Sequence, residues 1–513
     1  MRPFVRRTLV ALLLAAFATD AASAQALPST LVLSVRHSTL KNMARPEGAL
    51  KAQIDSIDVE LAAAGRFGRT ADQRLLYDKA AALLSRRPWT PEAEFASSVR
   101  LRTEHQVVDP ALRWSVRVEQ SFAPSIELTR TLQARAQLRQ RIAGAAANAP
   151  LAIVKELGTF VGVPRDLRDT PFVIDADLSD VADGSYVMAV DLLDSARTLG
   201  TASLPIVVRH GLNALAARLE AAAAQASEPV RSDLRFPVER LRNVNASRLA
   251  LGSFNARRDL AAAESLLVRV EGGSDPWAGR TGDLKRHYLL QAADEIMPYR
   301  LYVPAAYSPS TPLPLIIALH GLGANEDSFF EGYGRQLPQL AEQRGYLVVA
   351  PLGYRVDGGY GVQLGASADP AAARARELSE QDVMHVLAEV RRLYKVDPAR
   401  IYLMGHSMGA IGTWAIAAKY PDRWTALGAF AGFGSASAAR ATAAIPHFVV
   451  HGDADATVTV SGSRTMVAAL KGAGAVVVYI EVPGGNHTAV VEPNLAGMFD
   501  FFDKHRVRAA PRP

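Results

Sequence analysis

From residue 284 onward the chain keeps one rhythm. Short apolar runs ("PLIIALH", "YLVVAP", "IYLMGHS", "ALGAFAG", "HFVVHGD", "VVVYIEVPG") alternate with amphipathic stretches such as "AIGTWAIAAKY" and "SGSRTMVAALKGAG". Runs that are apolar throughout, not at every second residue, suit strands buried on both faces. Parallel strands also need a crossover between them, which the amphipathic helices supply. Residues 284–513 are therefore expected to form a doubly wound α/β domain with a mostly parallel sheet. One helix is predicted over residues 379–394, with Val383, Val386, Leu387, Val390 and Leu393 on one side and Ser379-x-x-Asp382 as a capping box.

The upstream half has a different texture. Over residues 25–112, "EGALKAQIDSIDVELAAAG" and "TADQRLLYDKAAALLSRR" carry helical spacing, punctuated by Pro88, Pro91 and Pro110. Over residues 113–208, alternating segments such as "WSVRVEQSF", "SIELTRTLQAR" and "DVADGSYVMAVDLLD" predict a small β-sandwich-like region. Helical patterns return over residues 209–270, in "HGLNALAARLEAAAAQA" and "ASRLALGSFNARRDLAAAESLLVRV". The Gly-rich "EGGSDPWAGRTGD" reads as a linker over residues 271–283. Residues 1–24 read as a signal peptide: Arg2, Arg6 and Arg7 precede a short apolar run, and Ala22-Ser23-Ala24 offers a cleavage site. The expected mature protein is exported, to a bacterial periplasm or the medium, and has no membrane span.

The chain has no cysteine, so neither disulfides nor thiolate metal sites enter the argument. The net charge of +6 is confined to the upstream half, because residues from Thr281 onward hold 21 basic and 21 acidic side chains. With no Lys/Arg cluster interleaved with aromatics, nucleic acid is not an expected partner.

Chemistry concentrates in the downstream half. In "GHSMG", Ser407 lies between a strand and a helix, flanked by Gly405 and Gly409; a serine in such a turn projects its hydroxyl above the sheet beside the free N–H groups of the helix start. A serine hydroxyl needs a base, and "GGNH" supplies His487 after the last strand. The base needs an anion to fix its tautomer. Asp455 in "HGDADATV" is the candidate; Asp453, two residues earlier, is the competing acid and reads as a turn residue. The N–H groups of Leu322, in the glycine-rich "LHGLGAN", and of Met408 are the candidate oxyanion donors. His320 reads as a buried histidine stapling that loop. Asn486-His487-Thr488 also matches a glycosylation acceptor, so a host that leaves Asn486 unmodified is expected.

Together "YRLYVPAAY", "LIIALHGLG", "DPARIYLMGHSMGAIGTWAIAAKYPDRW", "HGDADATV" and "GGNH", spread over residues 299–505, resemble secreted α/β-hydrolases of the esterase type, the group of feruloyl esterase and polyhydroxybutyrate depolymerase-like enzymes. They are also similar to small carboxylesterases and to the catalytic domain of prolyl-oligopeptidase-like peptidases. The resemblance implies an α/β-hydrolase fold with Ser407 as nucleophile, His487 as general base and acid, and Asp455 as its orienter. It implies ester hydrolysis through an acyl-enzyme.

Residues 433–446 leave no room for a helical cap, so an open site is expected. Tyr354 and Tyr360, in the loop over residues 351–370, are candidates to stack on the substrate. No metal or organic cofactor motif is present. A small or polymeric ester is the leading substrate and a peptide the alternative, although the β-containing segment is too short for a propeller gate. A non-catalytic binding protein is the third reading. The upstream half is expected to be a scaffold; with Trp89 and Trp114 as the tryptophans of its helical and sheet-like parts, a carbohydrate platform is not signalled.

Overall fold

The computed structural model describes residues 28–142, 144, 149–364 and 370–505, so the signal peptide expected over residues 1–24 lies outside the described residues. The chain divides into two compact units, Met1–Gln225 with Pro237–Gly272 and Ala226–Phe236 with Gly273–Pro513.

The first unit opens with helices α1 (Thr30–Ala44), α2 (Gly48–Arg66), α3 (Thr70–Leu84) and α4 (Pro91–Ser98). Leu40, Ile54, Ile57, Leu61, Leu76, Ala80 and Leu84 close a core between the first three. Pro91 starts α4 at a position whose N–H needs no partner, and the Thr90 hydroxyl caps it by accepting from Ala93 N at 3.2 Å. Eight strands follow: β1 (Val99–Arg102), β2 (Val107–Val108), β3 (Trp114–Gln120), β4 (Leu132–Gln140), β5 (Ala152–Val163), β6 (Phe172–Ala176), β7 (Gly184–Asp194) and β8 (Arg197–Val208). They form two sheets, ordered β1-β3-β6 and β2-β8-β7-β4-β5. Val116, Val118 and Ile174 of the smaller sheet share one core with Ala136, Leu138, Met188, Val190 and Leu204 of the larger, which makes the pair a sandwich. The expected strand in "SIELTRTLQAR" forms only from Leu132, where pairing with Val163 begins. Helices α5 (Leu212–Gln225), α6 (Val230–Asn245) and α7 (Ala256–Glu271) complete the upstream half. Helix α6 was not legible in the sequence, because Pro237 interrupts its pattern.

The second unit is built on eight strands: β9 (Gly282–Leu290), β10 (Glu295–Val303), β11 (Leu313–Leu319), β12 (Leu347–Pro351), β13 (Val396–His406), β14 (Ala426–Phe430), β15 (His447–Gly452) and β16 (Val477–Val482). Their order is β16-β15-β14-β13-β11-β12-β10-β9. β10 runs antiparallel to both neighbours, and the remaining pairs are parallel. The helices are α8 (Ser328–Glu331), α9 (Gln336–Arg344), α10 (Pro370–Leu393), α11 (Met408–Lys419), α12 (Ala436–Ala441), α13 (Ser461–Gly472) and α14 (Leu495–Lys504).

Side-chain alternation splits this core into two layers. Leu315, Ile317, Leu319, Val349 and Leu403 face Val383, Val386 and Val390 of α10 and Trp414 of α11. Ile316, Ala318, Val348, Tyr402 and Met404 face Leu337 and Ala341 of α9 and Met498, Phe499 and Phe502 of α14. Burial on both faces is what the uniformly apolar runs require. From β11 the chain goes first to β12 on one side and then to β13 on the other. That reversal opens a crevice at the carboxyl ends of the strands, where sites form in such sheets.

Helix α10 begins at Pro370, well before Ser379, so the capping box is not a helix start. Its two residues are buried in mid-helix and serve the loop after β12. The Ser379 hydroxyl accepts the N–H of Tyr360 at 3.0 Å, and Asp382 accepts the N–H of Tyr354 at 2.8 Å and the hydroxyl of Tyr288 at 2.5 Å.

Candidate active site

Strand β13 and helix α11 meet at Ser407, whose backbone lies at φ 57° and ψ −118°, a strained conformation for a residue with a side chain. The turn is tight enough to exclude side chains on either side. A Cβ on Gly405 would stand 2.2 Å from the Gly409 carbonyl oxygen, and one on Gly409 would stand 1.9 Å from that of Leu319. Both obstacles are backbone, so neither can swing aside. The Ser407 N–H donates to the Phe430 carbonyl at 2.9 Å, fixing the turn to β14, while its hydroxyl makes no cap bond to α11.

That hydroxyl instead meets His487, with Nε2 2.8 Å from Oγ, and His487 Nδ1 lies 2.6 Å from Asp455 Oδ2. The structure thus brings the three residues singled out in the sequence into one hydrogen-bonded chain. Asp455 stands just beyond β15 with its carboxylate fully buried. Its Oδ1 accepts the N–H groups of Thr457 and Val458 at 2.8 and 2.9 Å. Burial pushes its pKa up, but hydrogen bonds from His451 and His487 outweigh that and hold it well below the usual carboxylate range. Asp453 sits apart from the chain and accepts the N–H of Gly484 at 2.6 Å, a turn-closing bond.

The loop after β11 lies against the nucleophile, since a Cβ on Gly321 would be 3.4 Å from that of Ser407. Its neighbours' N–H groups are committed: Gly323 N donates to Val356 O at 2.8 Å and Ala324 N to Gly321 O at 3.1 Å. Among the described residues the N–H groups of Leu322 and Met408 have no acceptor, leaving both available to an incoming oxygen. His320 holds the loop in place, with Nε2 2.6 Å from the Leu352 carbonyl oxygen and Nδ1 2.8 Å from that of Gly321.

Two tyrosines correct the sequence expectation. Tyr360 is 1% exposed; its ring stands edge-on to His320 and fills the space beside Gly412, so it is part of the core and cannot stack on a substrate. Tyr354 is half-buried, its hydroxyl donates to Glu295 at 3.1 Å, and the Arg355 guanidinium covers its ring at 3.8 Å. An exposed aromatic at the carboxyl edge of the sheet is Phe433, 43% accessible, in the loop after β14. The adjoining Gly432 packs against Ala410 in the first turn of α11. Sequence reasoning also passed over His406, Tyr333 and His451. His406 Nε2 donates to the main-chain carbonyl of His487 at 2.9 Å, and Tyr333 Oη lies 2.9 Å from His406 Nδ1. His451 Nε2 stands 3.2 Å from Asp455 Oδ2. Among the described residues no cluster of three or more His, Asp or Glu side chains is arranged to hold a metal. No helix among them is long and apolar enough to cross a membrane.

A mostly parallel sheet that carries its serine at the turn after a central strand, with the acid and the histidine beyond the next strands but one and two, defines the second unit as an α/β-hydrolase. Residues 291–480 match the family Esterase, described as "Putative esterase". Feruloyl esterase B of Neurospora crassa is 31% identical over 150 residues, 29% of this chain and 48% of that protein. S-formylglutathione hydrolase of Mus musculus is 31% identical over 152 residues, 26% of this chain and 51% of that one. The solved ferulic acid esterase of Anaeromyces mucronatus aligns at 19% identity with a TM-score of 0.36, covering 44% of this chain and 90% of its own. The chain spans about half the length of the curated relatives it matches. The resemblance to esterase-type α/β-hydrolases drawn from five motifs is therefore present in the family match and in the two curated relatives.

Proposed function

We propose that the second unit hydrolyses carboxylic esters, with Ser407 as nucleophile, His487 as general base and then acid, Asp455 as the orienting anion, and the N–H groups of Leu322 and Met408 as oxyanion donors. The observation that carries this reading is the continuous chain from Ser407 Oγ to His487 Nε2 and from His487 Nδ1 to Asp455 Oδ2. In the first step His487 takes the hydroxyl proton as Oγ attacks the carbonyl carbon. The new oxyanion is met by two N–H groups that no acceptor among the described residues holds, and donors fixed in advance stabilise it without reorganisation. Asp455, buried and ionised, stabilises the imidazolium and keeps Nε2 facing Oγ. The proton passes to the leaving alcohol, and water, activated by the same imidazole, releases the acid from Ser407.

Only the six-residue α12 interrupts the loop between β14 and β15, which supports an open mouth suited to bulky esters. Phe433 replaces the two tyrosines as the apolar surface there. Export rests on residues 1–24 and remains part of this reading.

The test is a panel of acetyl, aromatic acyl and peptidyl chromogenic substrates run on the wild type and on Ser407→Ala. Ester turnover that falls by about 10^4-fold or more in the variant is expected. Peptide cleavage without ester cleavage, or turnover indifferent to Ser407, would overturn the proposal.

A further inference from the structure

Ser407 is preceded by a histidine whose two ring nitrogens are both committed, and their commitments allow one tautomer. The His487 carbonyl oxygen can only accept, so His406 Nε2, 2.9 Å away, carries the proton. A neutral imidazole has a single N–H, so Nδ1 is a lone pair and Tyr333 Oη, 2.9 Å away, must donate to it. Burial, then the neighbouring His487, lowers the pKa of His406 to about 3, which keeps the ring neutral. Burial also raises that of the Tyr333 phenol, so it remains a donor. In the opposite tautomer a nitrogen lone pair would face the carbonyl oxygen at 2.9 Å and push it away.

Tyr333 is itself placed at a conformational cost. Tyr333, Gly334 and Arg335 occupy the left-handed region in succession, at φ 49°, 62° and 56°, although two of the three carry side chains. Strain of this kind persists where surrounding structure over-determines it, and it clusters at sites whose geometry matters. Among the described residues no other donor reaches the His487 carbonyl. The loop that carries the base is therefore fixed at that peptide by one bond, from the residue adjoining the nucleophile. The His406 and His487 rings are 4.8 Å apart, so a shift in one is felt by the other.

We propose that Tyr333 and His406 are positioning residues: Tyr333 donates to Nδ1 of His406 and steadies the ring in the tautomer that the His487 carbonyl selects, and the Nε2–H of that ring holds the main-chain carbonyl of His487 and sets the place from which that imidazole works on Ser407. The inference rests on the triad reading above. It predicts that loss of either side chain lowers kcat and leaves KM little changed, because both side chains act through the placement of His487.

The experiment compares Tyr333→Phe, His406→Asn and His406→Gln with the wild type and Ser407→Ala, with kcat, KM and Tm measured for each. Glutamine can carry an N–H to the place of His Nε2; asparagine is too short. Tyr333→Phe and His406→Asn are expected to lower kcat by about tenfold or more with KM within about twofold, as small misplacements of catalytic groups do, and His406→Gln to recover most of the loss. Unchanged kcat in Tyr333→Phe and His406→Asn, or losses that follow Tm and are not recovered by glutamine, would overturn it. If Ser407→Ala itself retains turnover, the triad reading fails and takes this inference with it. If Ser407→Ala is inactive and the other variants are not impaired, the positioning role alone fails.

Discussion

Asp455 and Asp382 are both buried carboxylates, and their surroundings drive them in opposite directions. Asp455 receives hydrogen bonds from two imidazoles and is held ionised far into acid. Asp382 meets only neutral donors, the Tyr288 hydroxyl and main-chain N–H groups, so burial wins and its pKa rises to about 6. A folded-state pKa above the unfolded value of about 4 means stability that is full below pH 4 and lost as the pH rises through 6. Relative to Asp382→Asn, the wild type is thus expected to lose on the order of 2 to 3 kcal/mol between pH 4 and pH 7. Chemical denaturation across that range checks this, and parallel curves for the two proteins would refute it. For Asp455 the sign reverses, with stability present above about pH 4 and lost as the pH falls through its depressed pKa. Asp455→Asn should also reduce kcat by about 10^4-fold at neutral pH, since an amide cannot hold the required tautomer. Steady-state assays measure this directly.

At the level of elements, the loop after β12 is held by a helix the sequence described well but placed badly. The apolar stripe of α10 was legible because it repeats over several turns. Its start was not, because Ser379 and Asp382 have the spacing of a cap and spend their oxygens instead on Tyr360 and Tyr354. The same chemistry makes an N-cap and a loop anchor, and only burial tells them apart. The nucleophile, acid and base were legible because each sits in a short local pattern at the end of a strand. Tyr333 and His406 were not, because their meaning lies in a contact 73 residues apart. The packing of Tyr360 on α11 gives a test at this scale. A Cβ on Gly412 would lie 2.7 Å from Tyr360 atoms, so Gly412→Ala should destabilise the protein by about 1 to 3 kcal/mol. Thermal unfolding measures the loss, and a Tm equal to that of the wild type would contradict the packing described.

At the scale of the whole molecule, the second unit draws on chain from both sides of the first unit's last segment, since Ala226–Phe236 is counted with it. The attachment is specific. Asp233 accepts the His287 N–H and faces its Nδ1, both at 2.9 Å, and lies 3.4 Å from Arg286 Nε, while Phe236 stacks on the His287 ring at 3.9 Å. Arg286 in turn lies over Trp277 at 3.9 Å, so part of the segment read as a linker is packed. Asp233→Ala would leave the buried Arg286 without its anion, and an expected loss of about 3 kcal/mol or more should appear in calorimetry as an earlier transition for the second unit. A transition that does not move would show that the ion pair is dispensable.

The two units are consequently laced together along the chain and do not follow one another like beads. A protease nick between residues 273 and 281 would leave the amino-terminal fragment still holding eleven residues that complete the other fragment's fold. The severed halves should travel together through a sizing column. An engineer who wanted the catalytic half alone would have to carry that short piece across as well, by grafting it ahead of β9 or by supplying it as a separate peptide.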